Sequence, residues 1–517
     1  MLLLALFACE NGPIFSGNVA TYDVTLNVLT PSNQAPFEGL DRLVLRLDHA
    51  AGDPEEFELS STSGSPQIEG LGDLEDTRLT LAGYSGDALV SYGTSQPVTA
   101  HDETDISETV LVTEIGSAGW MTALEKKLAI GAGAPDGKGS FYLFGGDEKG
   151  YFIQNSSSTN VVRRFDVAPP ASDLAVVDVG TMPTFEAANS SDEEGQTGLT
   201  ATLLTGTADD AGLILLAGGS SYDIELATSS QSAFLFDPAT GEYTSTENNM
   251  REPRTGHFAI EMQSGDVLIA GGWGGGEGEG SLYPSEKLEL YKRNERKFER
   301  IGDQLSYGAG THGASLGSKG ALVCGGSDLM GGIWTTIPDC QHVQGDTSGT
   351  GTPLDISRAH HQMVPLDDGR AMIIGGISID DPEVFEDRID AVPFTAIFDA
   401  ETGLWSDSDD LNIARAGFSA TTLPDGRVLV VGGNTRMDLY QGNDGAPIAC
   451  AEIWTEGQGW ELLDGCSASS ASGSLPEQVF WPTLIADPVY GVLIVGGLDG
   501  DAEATSGVTY FAASPEM

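Results

Sequence analysis

Residues 426 to 433 read GRVLVVGG, an apolar, largely β-branched run closed by a glycine pair. Such a run predicts a strand buried on both faces, and the glycines predict a turn that residues carrying a Cβ make poorly. Versions of it recur along the chain. SFYLFGG ends at Gly146, LILLAGG at Gly219, DVLIAGG at Gly272, ALVCGG at Gly326, AMIIGG at Gly376 and VLIVGG at Gly497. The copies lie roughly 50 to 70 residues apart, which suits four strands with their loops better than a helical pair and predicts a repeat of small sheets arranged as propeller blades.

The flanks keep register with the glycines. Arg254, Arg358 and Arg415 each stand seventeen residues before the first glycine of a pair, followed three residues later by His257, His361 and Phe418. Gly139, Gly212, Gly265, Gly369 and Gly426 stand six residues before a pair. Gly320 and His312 are each one residue closer to theirs, so one deletion accounts for both. Downstream, aromatics pair at a spacing of seven: Phe236 with Tyr243, Tyr291 with Phe298, and Phe398 with Trp405; Trp454 and Trp460 are six apart. The intervening DPATGE and DAETGL carry the Asp, Pro and Gly of hairpin turns.

Together, the apolar run, the diglycine, the later aromatic and the Arg-x-x-His stretch resemble the Kelch repeat. The resemblance covers the chain from about residue 117 to 517. It implies an all-β fold with a seven-bladed Kelch-type propeller over 116–517, each blade of four antiparallel strands. It implies a shape and leaves function open.

Before the repeats, MLLLALFA runs straight into Cys9. An apolar start meeting the polar CENG reads as the end of an export signal, over residues 1–8. LFAC resembles the bacterial lipoprotein cleavage box, which implies lipidation of Cys9, a linker over 9–18 and attachment to a membrane through that lipid alone. Phe7 is bulkier than the box usually takes, and no Lys or Arg precedes the run. Residues 19–115 alternate apolar and polar at Tyr22 to Val28, Leu43 to Leu47, Leu79 to Leu81 and Val110 to Val112. That period of two predicts a small β-sandwich, immunoglobulin- or transthyretin-like. After Gly497 the chain has room for one further strand, so the last blade lacks its outermost one; residues 108 to 120 are the candidates to supply it, unless TVLVTEI stays in the sandwich.

Without Cys9, four cysteines remain, and they fall as Cys324 with Cys340 and Cys450 with Cys466, sixteen positions apart in each case. Bridges from an inner strand to its neighbour, formed in an oxidising compartment, are the simplest reading; free buried thiols are the alternative. Location follows: exported, as an outer-membrane or cell-surface lipoprotein or as a secreted protein.

The formal charge is -53, from 77 acidic and 24 basic residues. A surface so acidic repels nucleic acid and anionic lipid. Clustered carboxylates such as SIDDPEVFED, 378 to 387, lack the alternation and fixed glycine of a calcium loop, so a solvated acidic surface or adaptation to salt explains them better.

Kelch-type rings include copper oxidases resembling galactose oxidase, and sugar isomerases. The oxidase site needs two His, two Tyr and a Cys cross-linked to a Tyr. Here His257, His312 and His361 occupy the repeat's own slot, and His360 beside His361 points to the opposite face. No metal, no cofactor and no catalytic residue is therefore assigned, and no nucleophile elbow or phosphate loop is present. GGWGGGEGEG, 271 to 280, reads as a loop after an inner strand.

What remains is a binding module, a monomer recognising protein or glycan through loops that vary on a repeated scaffold. Arg254, Arg358, Arg415 and Trp273 are the candidate ligand-facing rim, with structural ion pairs as the competing role for the arginines. A carbohydrate-active oxidase or isomerase on the same fold, or a structural envelope protein, are the alternatives.

Overall fold

Val428–Val431, the apolar run of GRVLVVGG, is the second strand of a four-stranded antiparallel sheet made with Ser419–Thr422, Ala451–Thr455 and Gly459–Leu462. All four residues of the run are fully buried, as a β-branched strand covered on both faces must be. The protein is a computed structural model that describes residues 2–3, 24–50, 52–59, 74–100, 106–150, 157–167, 175–185, 196–223, 226–275, 282–302, 310–330, 333–366, 369–379, 388–438, 447–463, 465–467 and 473–512. Cys9, the linker 9–18 and most of SIDDPEVFED lie outside the described residues.

Each diglycine run forms the second strand of such a sheet. Numbered in chain order, sheets 1 to 7 have as second strands Ser140–Phe144, Ile214–Ala217, Val267–Ala270, Ala321–Cys324, Arg370–Ile374, Val428–Val431 and Gly491–Val495. The first strands touch in succession: Ala132–Pro135, Thr200–Leu203, Phe258–Glu261, His312–Ser315, Gln362–Pro365, Ser419–Thr422 and Thr483–Asp487. The last of these returns to the first, so among the described residues these first strands contact one another in a closed cycle. Apolar clusters fill the gaps between neighbours. Tyr291 and Val267 of sheet 3 meet Leu215 and Leu235 of sheet 2, and Val430 and Trp454 of sheet 6 meet Met372 and Ile374 of sheet 5. Burial of each such side chain contributes on the order of 1.5–3 kcal/mol. The aromatics spaced by seven sit opposite each other across the third and fourth strands; Tyr291 and Phe298 have ring centroids 5.1 Å apart.

The diglycines join one sheet to the next. The N–H of Gly433 donates to the carbonyl of Val479 (2.8 Å), Gly376 to Arg415 (2.9 Å), Gly326 to Arg358 (2.9 Å), Gly219 to Arg254 (2.7 Å), Gly146 to Gln196 (2.8 Å) and Gly497 to Leu128 (2.9 Å). Each acceptor begins the approach to the next sheet's first strand. Gly433 shows why glycine is needed: its φ is 100°, and an added Cβ would lie 2.8 Å from the Cβ of Phe418.

Sheet 7 takes its fourth strand from the other end of the repeat region: Gly119–Trp120 pairs antiparallel with Val508–Phe511. TVLVTEI stays behind, because Ile106–Leu111 pairs in parallel with Val24–Leu29. That sheet and a six-stranded one, which includes Arg42–His49 and Leu74–Ser85, share one core of Leu26, Val28, Leu45, Leu79, Leu81 and Val110. The alternation in the sequence thus marks the inward faces of two sheets.

Both cysteine pairs are bonded, each within one sheet. Cys324–Cys340 is the expected bridge from a diglycine strand to its neighbour, whereas Cys450–Cys466 joins the two outer strands' flanks and departs from that expectation. Cys324 and Cys340 face each other across the second and third strands of sheet 4. Cys450 leads into the third strand of sheet 6 and Cys466 follows its fourth. Among the described residues no helix is long and apolar enough to cross a membrane.

Candidate functional site

Two of the three arginines expected at a ligand-facing rim are turned inward. Arg254 and Arg415 are fully buried and paired with equally buried carboxylates, Nη2 lying 2.9 Å from Glu289 Oε1 and 2.5 Å from Glu452 Oε1. Nη1 of each donates to the carbonyl of its own sheet's first glycine, Gly271 (3.2 Å) and Gly432 (2.7 Å). These residues clamp the rim backbone and offer nothing to a ligand. Sequence spacing located the arginines but missed Glu289 and Glu452, which stand one strand further on, opposite Ile269 and Val430. Arg358 is buried as well, at 3% exposure, but no carboxylate among the described residues pairs with it; its guanidinium donates to the carbonyls of Ile356, Gly375 and Phe394. Burial without a counter-charge pulls its pKa down to about 10.

Around the axis of the cycle, seven residues stand just before the first strands: Ile130, Gly198, Gly256, Gly310, His360, Gly417 and Trp481, all with positive φ. Backbone hydrogen bonds pass from one to the next. The N–H of Gly198 donates to Ile130 (3.0 Å), Gly256 to Gly198 (2.8 Å), His360 to Gly310 (2.9 Å), Gly417 to His360 (3.1 Å) and Trp481 to Gly417 (2.6 Å). Left-handed backbone suits glycine and costs other L-residues roughly 1–2 kcal/mol. Ile130, His360 and Trp481 therefore hold strained positions where their four counterparts are glycine, a pattern that points to function.

His360 and Trp481 make a half-buried aromatic patch. Each ring lies over the glycine at the preceding station: a Cβ on Gly310 would come 3.2 Å from His360 Cε1, and one on Gly417 would come 2.8 Å from Trp481 Nε1. The two ring centroids are 6.2 Å apart. Burial lowers the His360 pKa to about 4, so the imidazole is neutral at pH 7. Aligning the copies singles out His360, because the residue between Arg-x and His or Phe is glycine in Arg254–His257 and Arg415–Phe418 but His360 in Arg358–His361.

Two-stranded ribbons leave the sheets just after the diglycines, on the same side as the patch. One pairs Trp273–Gly275 with Leu282–Pro284, and Trp273 exchanges backbone hydrogen bonds with Thr255, beside the axial Gly256. Another pairs Arg388–Asp390 after sheet 5 with Arg436–Asp438 after sheet 6. The other histidines of the repeat slot are packed in. His257 Nε2 is 3.0 Å from Thr200 Oγ1, and His312 Nδ1 accepts the N–H of Met363 at 3.1 Å. Among the described residues, no group of three His, Cys, Asp or Glu side chains is placed to hold a metal ion.

The fold is that of an all-β protein with a propeller-like arrangement of four-stranded antiparallel sheets. No family model matches the chain, and no curated protein matches it. Among solved structures it is similar to one titled "Structure of YjhT", with a TM-score of 0.47 and 12% sequence identity, over 66% of this chain and 99% of that one.

Proposed function

We propose that the chain is an exported, Kelch-like seven-bladed β-propeller carried on an N-terminal β-sandwich, attached to a membrane through lipid on Cys9, and that it binds a glycan at its axial mouth. The closed cycle of seven four-stranded sheets supports the propeller, the shared core of the two N-terminal sheets supports the sandwich, and two disulfides support an oxidising compartment. The observation that carries the glycan reading is the His360–Trp481 patch. A neutral imidazole and an indole held side by side present apolar faces on which the C–H face of a sugar ring stacks, while the ribbons above supply polar edges. With a net charge of -53, neutral glycans are favoured over polyanionic ones.

A glycan array probed with the purified chain, followed by titration of the strongest neutral oligosaccharide, tests this. Trp481→Ala should weaken binding about tenfold or more by removing the stacking face. Binding confined to protein partners, or glycan binding unchanged in a folded Trp481→Ala, would transfer the function to another surface.

A further inference from the structure

Sheets 3 and 6 each hold a carboxylate in a cradle of one guanidinium and two backbone N–H groups, to which Asn412 Nδ2 adds a fourth donor in sheet 6 (3.0 Å). Glu452 accepts from Arg415 Nη2 (2.5 Å) and from the backbone N–H groups of Asn412 (2.8 Å) and Ile413 (3.1 Å). Glu289 accepts from Arg254 Nη2 (2.9 Å) and from the N–H groups of Arg251 (2.6 Å) and Glu252 (3.1 Å).

Sheet 5 repeats the frame and omits the carboxylate. Arg358 Nε donates to the Ile356 carbonyl at 3.4 Å, as Arg415 Nε does to that of Ile413 at 3.3 Å. Arg358 Nη1 reaches the carbonyls of Gly375 (3.5 Å) and Phe394 (3.0 Å), as Arg415 Nη1 reaches those of Gly432 (2.7 Å) and Cys450 (3.0 Å). The residue opposite Ile373, at the station of Glu289 and Glu452, is Ala396. Among the described residues, Arg358 Nη2 and the N–H groups of Asp355 and Ile356 consequently meet no acceptor. The residues that carry them, Asp355, Ile356 and Arg358, line a cavity of about 450 Å³, whose wall also includes Leu354, Phe394 and Trp405. Phe394 is 38% exposed at its mouth.

We propose that this cavity binds a small monocarboxylate whose carboxylate takes the place that Glu289 and Glu452 fill in the sister sheets. A guanidinium buried to 3% exposure without a counter-charge is costly, and three convergent donors beside an apolar wall form the polar end of a small-molecule site. The aromatic wall receives the body of the ligand. Three acidic residues, Asp355, Asp407 and Asp410, line the same cavity and oppose a second negative charge, so the remainder is neutral or cationic. The site is separate from the axial mouth and does not depend on the glycan reading.

Acetate, benzoate and phenylacetate are titrated into the full chain by calorimetry and thermal shift at fixed ionic strength, with benzamide as the neutral isostere of benzoate and phthalate as a dianion. At least one monocarboxylate binds saturably, and benzamide and phthalate bind about tenfold more weakly or less. Ala396→Glu, which puts the chain's own carboxylate into the cradle, raises Tm and abolishes the binding. The comparison of benzoate with benzamide needs no variant, so it decides the matter if Ala396→Glu fails to fold. No saturable binding of any of the three acids, benzamide equal to benzoate, or undiminished binding in a folded Ala396→Glu overturns the proposal.

Discussion

Arg415 and Glu452 form an ion pair from which water is wholly excluded: both side chains are fully buried, with Nη2 2.5 Å from Oε1. The same carboxylate accepts two rim N–H groups, so it neutralises a buried charge and ties down the backbone that leads to the axis. Glu452→Ala strands the guanidinium and should lower unfolding stability by about 3–5 kcal/mol. Urea unfolding measures this, and a loss within the range of a surface substitution would mean that solvent reaches the pair.

Acid should weaken the fold through its histidines. Burial, with the Arg254 charge adding to it, holds His257 at about 3; burial holds His312 and His360 at about 4 and drives His361 down in the same direction. Unfolded imidazoles titrate near 6.5, so the unfolded chain binds protons that the folded chain refuses. This stability is complete above about pH 6.5 and is lost as pH falls towards 4. His257→Gln should flatten the slope of unfolding free energy between pH 6 and 4 by up to one proton, about 1.4 kcal/mol per pH unit. An unchanged slope would show that His257 is protonated in the native state.

The bridges differ in what they staple. Cys324–Cys340 joins strands already paired by the sheet, whereas Cys450–Cys466 binds the residues after the fourth strand of sheet 6. Replacing either pair by Ser should cost on the order of 3 kcal/mol by the loop-entropy argument. Hydrogen exchange should then rise first near Cys466 in the second variant and across the whole of sheet 4 in the first. Intact mass with and without reductant counts the bridges, and a chain that takes up four equivalents of thiol reagent before reduction would refute them.

Salt should stabilise the molecule. With 77 acidic against 24 basic residues, self-repulsion opposes compaction, and at about 1 M salt the screening length falls to near 3 Å. Exposed pairs such as Arg436–Asp390 weaken under the same screening, but such pairs contribute little. The urea midpoint should therefore rise from low salt to molar salt, and a flat response would assign the acidity to something other than surface repulsion.

The sequence made the sheets legible because their determinants are local. An apolar run ending in two glycines, and an aromatic seven residues from another, are short-range patterns, and each lies in a strand or hairpin of the kind expected. The partners of the arginines were not legible. Glu289 and Glu452 lie 35 and 37 residues beyond Arg254 and Arg415, across ribbons of varying length, so no fixed offset exposes them. The parallel pairing of Val24–Leu29 with Ile106–Leu111 was hidden for a similar reason, since alternation names a face and not a neighbour. The axial aromatics are not legible in the sequence because the left-handed backbone of His360 and Trp481 emerges only with the fold.

Trp120 gives its indole N–H to the carbonyl of Ser474, 354 residues later, and the strand it belongs to completes sheet 7. In chain order, this closing piece is therefore made before every sheet of the cycle and finds its seat only after the last has been synthesised. A chain made from its N-terminus carries an unmated edge until synthesis is complete, and long-range closure of this kind is slow. Proteolytic trimming near Val508 should accordingly be felt at Gly119, loosening the tether between the two regions from the far end of the polypeptide.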